Sequence, residues 1–347
     1  KTGDSVDIHM IISDMPVDQG DSTIYKKHEI HHISDIFIRP DKDYLSKELP
    51  DDTIEFRSYK IIYDTLRYRP RYLTDAIHFT IGDRYREIEV KDTYSHLVGY
   101  KAFQLSEVSF TPGPRDSAGP TLVAHINLRP LPKHTFTIEP EVTNTSGNIG
   151  LRASLGYTNR NFFGAGEALE LRLSTGIEYQ PAPGSEALSQ TFEIGAEAAI
   201  RFPRFLLPFN TVGLLPKRMQ PQSRISTSIS QLRRIEFDRE TFKTQLSYNW
   251  RESRRKAHQV DLVDISYSLL NSVQGSFIDN LTPIQQRAFQ SELITAFRYT
   301  YTINEQLDLY RTNFRFLRTS FESAGLLLSQ LDQAVGFSEE LASGPQG

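Results

Sequence analysis

Residues 149–179 read IGLRASLGYTNRNFFGAGEALELRLSTGIEY, and the two halves of this stretch alternate in polarity around a glycine-rich aromatic turn. In the second half, Leu169, Leu171 and Leu173 fall on one face, whereas the charged residues Glu170 and Arg172 fall on the other. Alternation with a period of two is typical of a β-strand that lies between two different environments. The stretch therefore predicts a membrane β-hairpin, although strands of soluble sandwiches alternate in the same way.

The composition excludes several classes of protein. The chain has 347 residues with a net charge of −4, which provides no electrostatic footprint for nucleic acid. No segment approaches the roughly 20 consecutive apolar residues of a spanning helix, but barrel strands alternate and would not show such a run. The chain contains no cysteine, so we expect neither disulfides nor thiolate chemistry.

The alternation recurs from Thr135 to the end of the chain, where we count about nine candidate strands. Further examples lie at 192–202, 246–250 and 293–303. The apolar faces are long enough for the roughly ten residues that a tilted strand needs to cross a membrane. Strands of soluble sandwiches are usually shorter, at about five or six residues.

The preceding region has a mixed pattern, and the segment LRPLPK near residues 130–133 separates it from the strands. We predict the order strand, helix, helix, strand, strand, which makes a small sheet covered by two helices with at least one exposed edge. The predicted strands are 29–39, 105–110 and 122–128, and the predicted helices lie within 71–79 and 85–103. The segment 53–63 is a further candidate for extended structure.

The tract FTIGDRYREIEVKDTYSHLVGYKAFQLSEVSF at 79–110 resembles a POTRA domain, the periplasmic polypeptide-transport-associated module. The tract GYTNRNFFGAGE at 156–167 is similar to the second barrel strand and following periplasmic turn of the BamA/TamA superfamily. Together with the strand series, these tracts make nearly the whole chain resemble that superfamily of outer-membrane assembly factors, which includes the surface-antigen barrels.

The resemblance implies an α+β POTRA domain followed by antiparallel transmembrane β-barrel strands. Residues 1–22 would be the last strand of a preceding POTRA domain and a linker, 23–133 a POTRA domain, and 134–347 the N-terminal portion of a sixteen-stranded outer-membrane barrel. The Val-Arg-Gly-Phe/Tyr motif and the aromatic-ended final strand of the superfamily do not occur here. We therefore expect the chain to lack the C-terminal part of the barrel.

The function implied by the resemblance is the assembly, insertion or translocation of other polypeptides, not an enzymatic reaction. The expected location is the bacterial outer membrane, with the POTRA region in the periplasm. The expected partners are unfolded outer-membrane protein clients, the lipid bilayer, and periplasmic or lipoprotein accessory subunits. No cofactor, metal or nucleic acid is expected.

Two sets of site residues follow from the resemblance. The first barrel strand would be a gate that pairs with client strands, through Phe136, Ile138, Pro140, Val142 and Asn144. A proline is tolerated chiefly on edge strands, although Pro140 is equally compatible with a bend after the linker. The periplasmic turn would comprise Asn159, Arg160, Asn161, Phe162, Phe163, Gly164 and Gly166. A POTRA edge at 122–128 or 29–39 is a second candidate surface for clients.

Several alternatives remain open on the sequence. A two-partner-secretion transporter has the same order of modules, and a soluble β-rich binding protein belongs to a different class. The histidines at 28, 31 and 32 suggest a metal site only weakly, because His31 and His32 point to opposite faces of a strand. The basic run RESRRK at 251–256 favours a solvated turn over a lipid-binding site.

Overall fold

The computed structural model describes residues 14–19, 22–41, 52–117, 119–145, 148–181, 188–207, 216–279, 281–287, 289–306 and 313–325. These residues form a two-stranded ribbon, a five-stranded sheet with two helices, and a nine-stranded sheet. No helix in this part of the chain has both the length and the apolar character needed to cross a membrane.

The ribbon consists of β1 (Met15–Gln19) and β2 (Ser22–Lys26), which pair antiparallel. Part of the segment expected to be a linker within 1–22 is therefore a strand. Residues 1–13, which would contain the expected last strand of a preceding POTRA domain, lie outside the described residues.

An α/β unit follows the ribbon. Its elements are β3 (His32–Arg39), β4 (Asp52–Phe56), β5 (Tyr59–Tyr63), α1 (Pro70–Asp75), α2 (Glu87–Gly99), β6 (Phe103–Pro112) and β7 (Thr121–Pro130). The strand order is β4-β5-β3-β7-β6, and β3 is parallel to both of its neighbours. The fixed φ of Pro70 suits the first turn of α1.

The structure corrects two predictions for this unit. The segment 53–63 is a hairpin, because Arg57 and Ser58 make a tight turn with positive φ values of 50° and 69°. Such turns usually carry glycine or asparagine, so the sequence contained no signal for it. The second error concerns the edges: β3 and β7 lie inside the sheet, and β4 and β6 are its edges. The edges proposed at 29–39 and 122–128 are therefore wrong.

The unit contains the main hydrophobic core of the described chain. Buried isoleucines of β3, β5 and β7, including Ile38, Ile61 and Ile126, pack against Leu73 of α1 and Leu97 of α2. Burial of such side chains typically stabilises a fold by about 1.5–3 kcal/mol each. The core is formed mainly by the two helices and the five-stranded sheet, and one residue from a turn of the nine-stranded sheet, Ala165, also belongs to it.

The second sheet is an antiparallel meander in which each strand pairs with its neighbours in sequence. Its strands are β8 (His134–Thr145), β9 (Asn148–Asn159), β10 (Ala168–Pro181), β11 (Leu188–Phe202), β12 (Gln222–Arg233), β13 (Phe237–Arg251), β14 (Lys256–Val273), β15 (Glu292–Asn304) and β16 (Phe316–Ala324). The shorter helices are a 3-10 turn (Lys217–Met219), α3 (Gly275–Asp279) and α4 (Pro283–Arg287). The strand series predicted from Thr135 onward is present, and in the described residues it forms an open sheet with β8 and β16 at its edges.

Cross-strand pairing divides this sheet into two chemically different faces. On one face, Leu173 lies opposite Leu155 and Ala196, and on the other, Arg172 lies opposite Glu197. The apolar face comprises Phe136, Ile138, Val142, Leu151, Leu155, Leu171, Leu173, Ile177, Ile194, Ile225, Ile229, Phe242, Leu246, Ile265, Tyr267, Leu293, Tyr299 and Phe321. The polar face comprises Glu139, Arg152, Glu170, Arg172, Glu193, Glu197, Arg224, Lys243, Asp261, Asp264, Arg298 and Glu322.

Candidate functional site

Strand β8 is an exposed edge of the large sheet. It pairs along its whole length with β9, from His134 opposite Asn159 to Thr145 opposite Asn148. Its other side has no strand partner among the described residues. An unpaired row of backbone N–H and C=O groups can accept an added strand.

The five predicted gate residues share one face of β8. Phe136, Ile138, Pro140, Val142 and Asn144 lie opposite apolar-face residues of β9. Three of the five are more exposed than any other large apolar side chain of the sheet, at 71% for Phe136, 75% for Ile138 and 76% for Val142. The β8–β9 register continues without a shift at Pro140, which lies opposite Ala153.

The polar face near this edge is crossed by ion pairs. Glu139 of β8 accepts hydrogen bonds from Ser154 of β9 (3.0 Å) and Arg172 of β10 (3.4 Å). Further along the sheet, Arg224 pairs with Glu197 at 2.9 Å. Exposed pairs of this kind contribute little stability, about 0–1 kcal/mol each, but they keep opposite charges aligned on one face.

The predicted periplasmic turn is closed by its own polar groups. The side-chain oxygen of Asn161 accepts from Gly166 N–H at 3.1 Å, and one carboxylate oxygen of Glu167 accepts from Ala165 N–H at 2.9 Å. Gly164 and Gly166 have φ values of +90° and +73°. These left-handed conformations suit glycine, which adopts them without steric cost.

The same turn, residues 160–167, docks on the α/β unit. The amide of Asn161 donates to the Arg67 carbonyl at 2.6 Å, and Arg69 N–H donates to the Gly164 carbonyl at 2.8 Å. Ala165 is 6% exposed and belongs to the core of the α/β unit. We call this contact the docking joint. The sequence did not predict it, because Arg67 and Arg69 contribute backbone atoms that any residue would supply.

An aromatic stack lies beneath the docking joint. Tyr72 stacks on Tyr100 at 4.2 Å between ring centroids and on Tyr68 at 5.8 Å. A Cβ atom added to Gly166 would overlap the Tyr72 ring. Burial raises the pKa of Tyr72 and of Tyr100 well above the usual value, so both rings stay neutral. The joint is thus a close-packed contact that only glycine fits at position 166.

The carboxyl group of Glu167 is the charged component of the joint. Glu167 is 1% exposed, and its carboxylate lies 3.7 Å from the guanidinium of Arg204, which follows β11. Phe162 and Phe163, the predicted boundary aromatics, contact each other edge-to-face at 4.6 Å and remain half-exposed. The turn therefore buries Ala165 and the Glu167 carboxylate, whereas the two phenylalanines stay at the surface.

A second contact joins the α/β unit to the loops of the large sheet. Lys217 donates to the Ile77 carbonyl at 3.4 Å, and Arg254 lies 3.6 Å from Asp92 of α2. Nearby, the rings of His78 and His96 share a hydrogen bond of 3.2 Å. Burial lowers the pKa of His96 to about 3 and lowers the pKa of His78, so the pair is neutral at physiological pH.

No family model and no curated protein matches this chain. Among solved structures, it is similar to BamA from Haemophilus ducreyi lacking POTRA domains 1–3, at 10% identity over 90% of this chain and 60% of that chain, with a TM-score of 0.34. It is also similar to CdiB from Acinetobacter baumannii, at 12% identity over 85% of this chain and 52% of that chain, with a TM-score of 0.36. The chain thus spans about half to three fifths of each of these structures.

Proposed function

We propose that this chain is part of an outer-membrane protein of the BamA/TamA superfamily that inserts or translocates other polypeptides. In this proposal the α/β unit is a POTRA domain in the periplasm, and the nine-stranded sheet is part of a transmembrane β-barrel. Clients would be unfolded outer-membrane proteins, and accessory subunits would bind on the periplasmic side. The protein would act by pairing and guiding strands, without covalent chemistry or a cofactor.

The observation that carries the proposal is the uncovered apolar face of the large sheet. Its strands have between 9 and 18 residues, which meets the need of about 9–11 for a tilted crossing of the hydrocarbon layer. Leucine, isoleucine and phenylalanine side chains such as Leu151, Leu173 and Ile229 remain about half exposed on it. A soluble protein rarely exposes an apolar surface of this extent, whereas lipid covers it without cost.

Aromatic residues at both ends of the apolar face support the same conclusion. Near the α/β unit they are Phe136, Tyr157, Tyr248, Trp250, Tyr299 and Tyr301, and near the opposite end they are Tyr179, Phe192, Phe242 and Tyr267. Aliphatic residues fill the space between. Aromatic girdles at the two interfaces are typical of membrane barrels.

The edge position of β8 supports strand pairing as the mode of action. Its free backbone is bordered by the protruding side chains of Phe136, Ile138 and Val142. A client strand that adds there would satisfy backbone groups that cannot remain unpaired in lipid. Its apolar side chains would also continue the apolar face, so one added strand extends both the ladder and the lipid-facing surface.

The test is refolding of the chain, together with its native flanking sequence, into detergent or lipid vesicles. We expect a compact species that migrates faster in electrophoresis before boiling than after, as closed barrels do. A soluble monomer that needs no detergent and shows no such shift would contradict the membrane assignment and favour a soluble β-rich binding protein. Client insertion is then measured by the rate at which a separate outer-membrane protein folds into the same vesicles.

A further inference from the structure

A cavity of about 770 Å³ lies between α2 and the polar face of the large sheet, at the end of the strands next to the α/β unit. We call it the vestibule. One wall is formed by the C-terminal half of α2 and the residues after it, and the other by the strand ends of β12 to β16. Its volume falls within the range of roughly 300–1,000 Å³ that is usual for ligand sites.

The charge of the vestibule is uniformly positive. Lys101, Arg251 and Arg318 line it, and no carboxylate of the described residues does so. These three cations form no hydrogen bond or ion pair within the part of the chain that the structure describes, unlike Arg172, Arg224 and Arg298 of the same polar face. A group of unpaired cations in a chain with a net charge of −4 indicates a site for an anionic ligand.

The neutral residues indicate what kind of anion the site would bind. The carboxamide side chains of Gln220, Gln222 and Asn249 line the vestibule and have no hydrogen-bond partner in the described residues. Each carboxamide offers both donors and an acceptor, which matches the N–H and C=O groups of an extended peptide backbone. A phosphate or sulfate ion is mainly an acceptor and would leave the carboxamide oxygens unpaired.

The remaining wall is apolar. Tyr94 and Val98 of α2 line the vestibule and are about half exposed. A ligand that carries apolar residues beside its charges would cover them. A bilayer lipid is a poor match, because the sheet separates this cavity on the polar face from the apolar face that we assign to lipid.

We propose that the vestibule binds an extended, acidic segment of another polypeptide, with its carboxylates on Lys101, Arg251 and Arg318. This inference rests on the proposed function, because it specifies which client segments the protein would receive at the periplasmic end of the barrel. Oppositely charged surfaces accelerate encounter and select partners, so acidic segments would be held there before strand pairing at β8.

The test uses the full chain in lipid nanodiscs that contain no anionic lipid. Fluorescence anisotropy measures how tightly it binds a fluorescein-labelled peptide in which aspartate and valine alternate. A peptide that alternates lysine and valine is the reference ligand. The triple variant Lys101→Gln, Arg251→Gln, Arg318→Gln removes the three charges. The control variant Arg84→Gln, Arg129→Gln, Lys133→Gln removes the same number and kind of exposed charges outside the vestibule.

We expect the aspartate peptide to bind more tightly than the lysine peptide, with an affinity that falls as salt is added. The vestibule variant should weaken binding by about tenfold or more, and the control variant by less than about twofold. Three results would each overturn the proposal. They are equal binding of the two peptides, equal loss of binding in the two variants, and displacement of the labelled peptide by inorganic phosphate at the same concentration as by unlabelled peptide.

A second measurement applies if the triple variant does not fold. A photo-crosslinking residue at Ser95, which lines the vestibule, should capture the aspartate peptide, whereas the same residue at Glu87, at the other end of α2, should not. Equal capture at the two positions contradicts the proposal. Heat-modifiable migration is recorded on the same samples, so a chain that inserts but binds no peptide refutes only the vestibule, and a chain that never inserts refutes the membrane assignment.

Discussion

Gly166 is the residue on which the docking joint depends. In Gly166→Ala, the left-handed backbone would cost roughly 1–2 kcal/mol, and the new methyl group would also overlap the Tyr72 ring. We expect the joint to open and trypsin to cleave after Arg67 at least about tenfold faster, since 1.4 kcal/mol corresponds to a factor of ten.

Gly164→Ala is the matched control. It has a similar left-handed φ of +90°, but an added Cβ would lie 3.8 Å from Arg69, which is an ordinary contact. It should therefore show only the cost of the backbone and a smaller increase in cleavage. Equal rates for the two variants would show that the ring contact does not hold the joint.

His96 is expected to make the α/β unit sensitive to acid. Because burial lowers its pKa to about 3, the unfolded chain binds a proton below about pH 6.5 that the folded chain does not bind. Stability should therefore fall as the pH drops from about 6.5 to 3, by up to about 1.4 kcal/mol per pH unit for this one proton.

Hydrogen exchange of the α2 amides, corrected for the intrinsic rate at each pH, measures this effect. His96→Gln should flatten the pH dependence, whereas His31→Gln, at a half-buried position outside the pair, should leave it unchanged. If the wild-type chain and His96→Gln lose protection in parallel between pH 7 and 4, the buried histidine is not the source of the acid sensitivity.

At the scale of single residues, the sequence indicated which residues would form the turn but not which residues the turn would contact. The glycines of NFFGAG were predicted to form a tight turn, and Gly164 and Gly166 have positive φ values. Nothing in the pattern indicated that this turn packs against Tyr72, which is about ninety positions earlier in the chain. Such a contact depends on where two modules meet, and a period of two or of 3.6 contains no information about that.

At the scale of elements, β10 provides an internal comparison between two neighbouring positions. Leu173 lies on the apolar face and Ser174 on the polar face. If the apolar face meets lipid, Leu173→Arg should destabilise the refolded barrel by about 2–4 kcal/mol, whereas Ser174→Arg should cost much less.

The measurement is urea-titrated refolding of both variants into vesicles, followed by heat-modifiable migration. Both variants add the same charge and length at adjacent positions, so a general effect of arginine on strand formation would affect them equally. Similar midpoints for the two variants would indicate that both faces of the sheet contact water.

The period-two pattern predicted individual strands well but did not predict their order. Strand β8 was expected at 136–144 and is found at His134–Thr145. By contrast, β3 and β7 were taken for edges and lie inside the sheet, because helices α1 and α2 let β3 pair in parallel with a strand far along the chain. Sequence neighbours pair in a meander, so its order follows from the sequence, whereas the order of a mixed sheet does not.

At the scale of the whole molecule, the docking joint and the Lys217 and Arg254 contacts should hold the α/β unit in one orientation. The chain has no cysteine, so labels at Lys91→Cys and Arg233→Cys would be unique. Pulsed electron resonance between spin labels at these sites should give one narrow distance distribution, which broadens in Gly166→Ala. A wild-type distribution as broad as that of the variant would mean that the unit moves freely despite the joint.

The change of composition at residues 130–133 lies at the point where β7 of one sheet is followed directly by β8 of the other. The vestibule could not be predicted in this way. Lys101, Arg251 and Arg318 are far apart in the sequence, and only the stacking of α2 against the strand ends brings them together.

The position of Ala165 affects the order in which the parts of the molecule fold. It belongs to the core of the α/β unit, yet it follows β9 in the sequence and so lies beyond the boundary between the two sheets. A ribosome or export channel delivers the α/β unit first, but that unit then has an unfilled site beside Tyr72. We expect its final packing to wait for the β9–β10 hairpin, so the α/β unit would complete its core only after the nine-stranded sheet has begun to form.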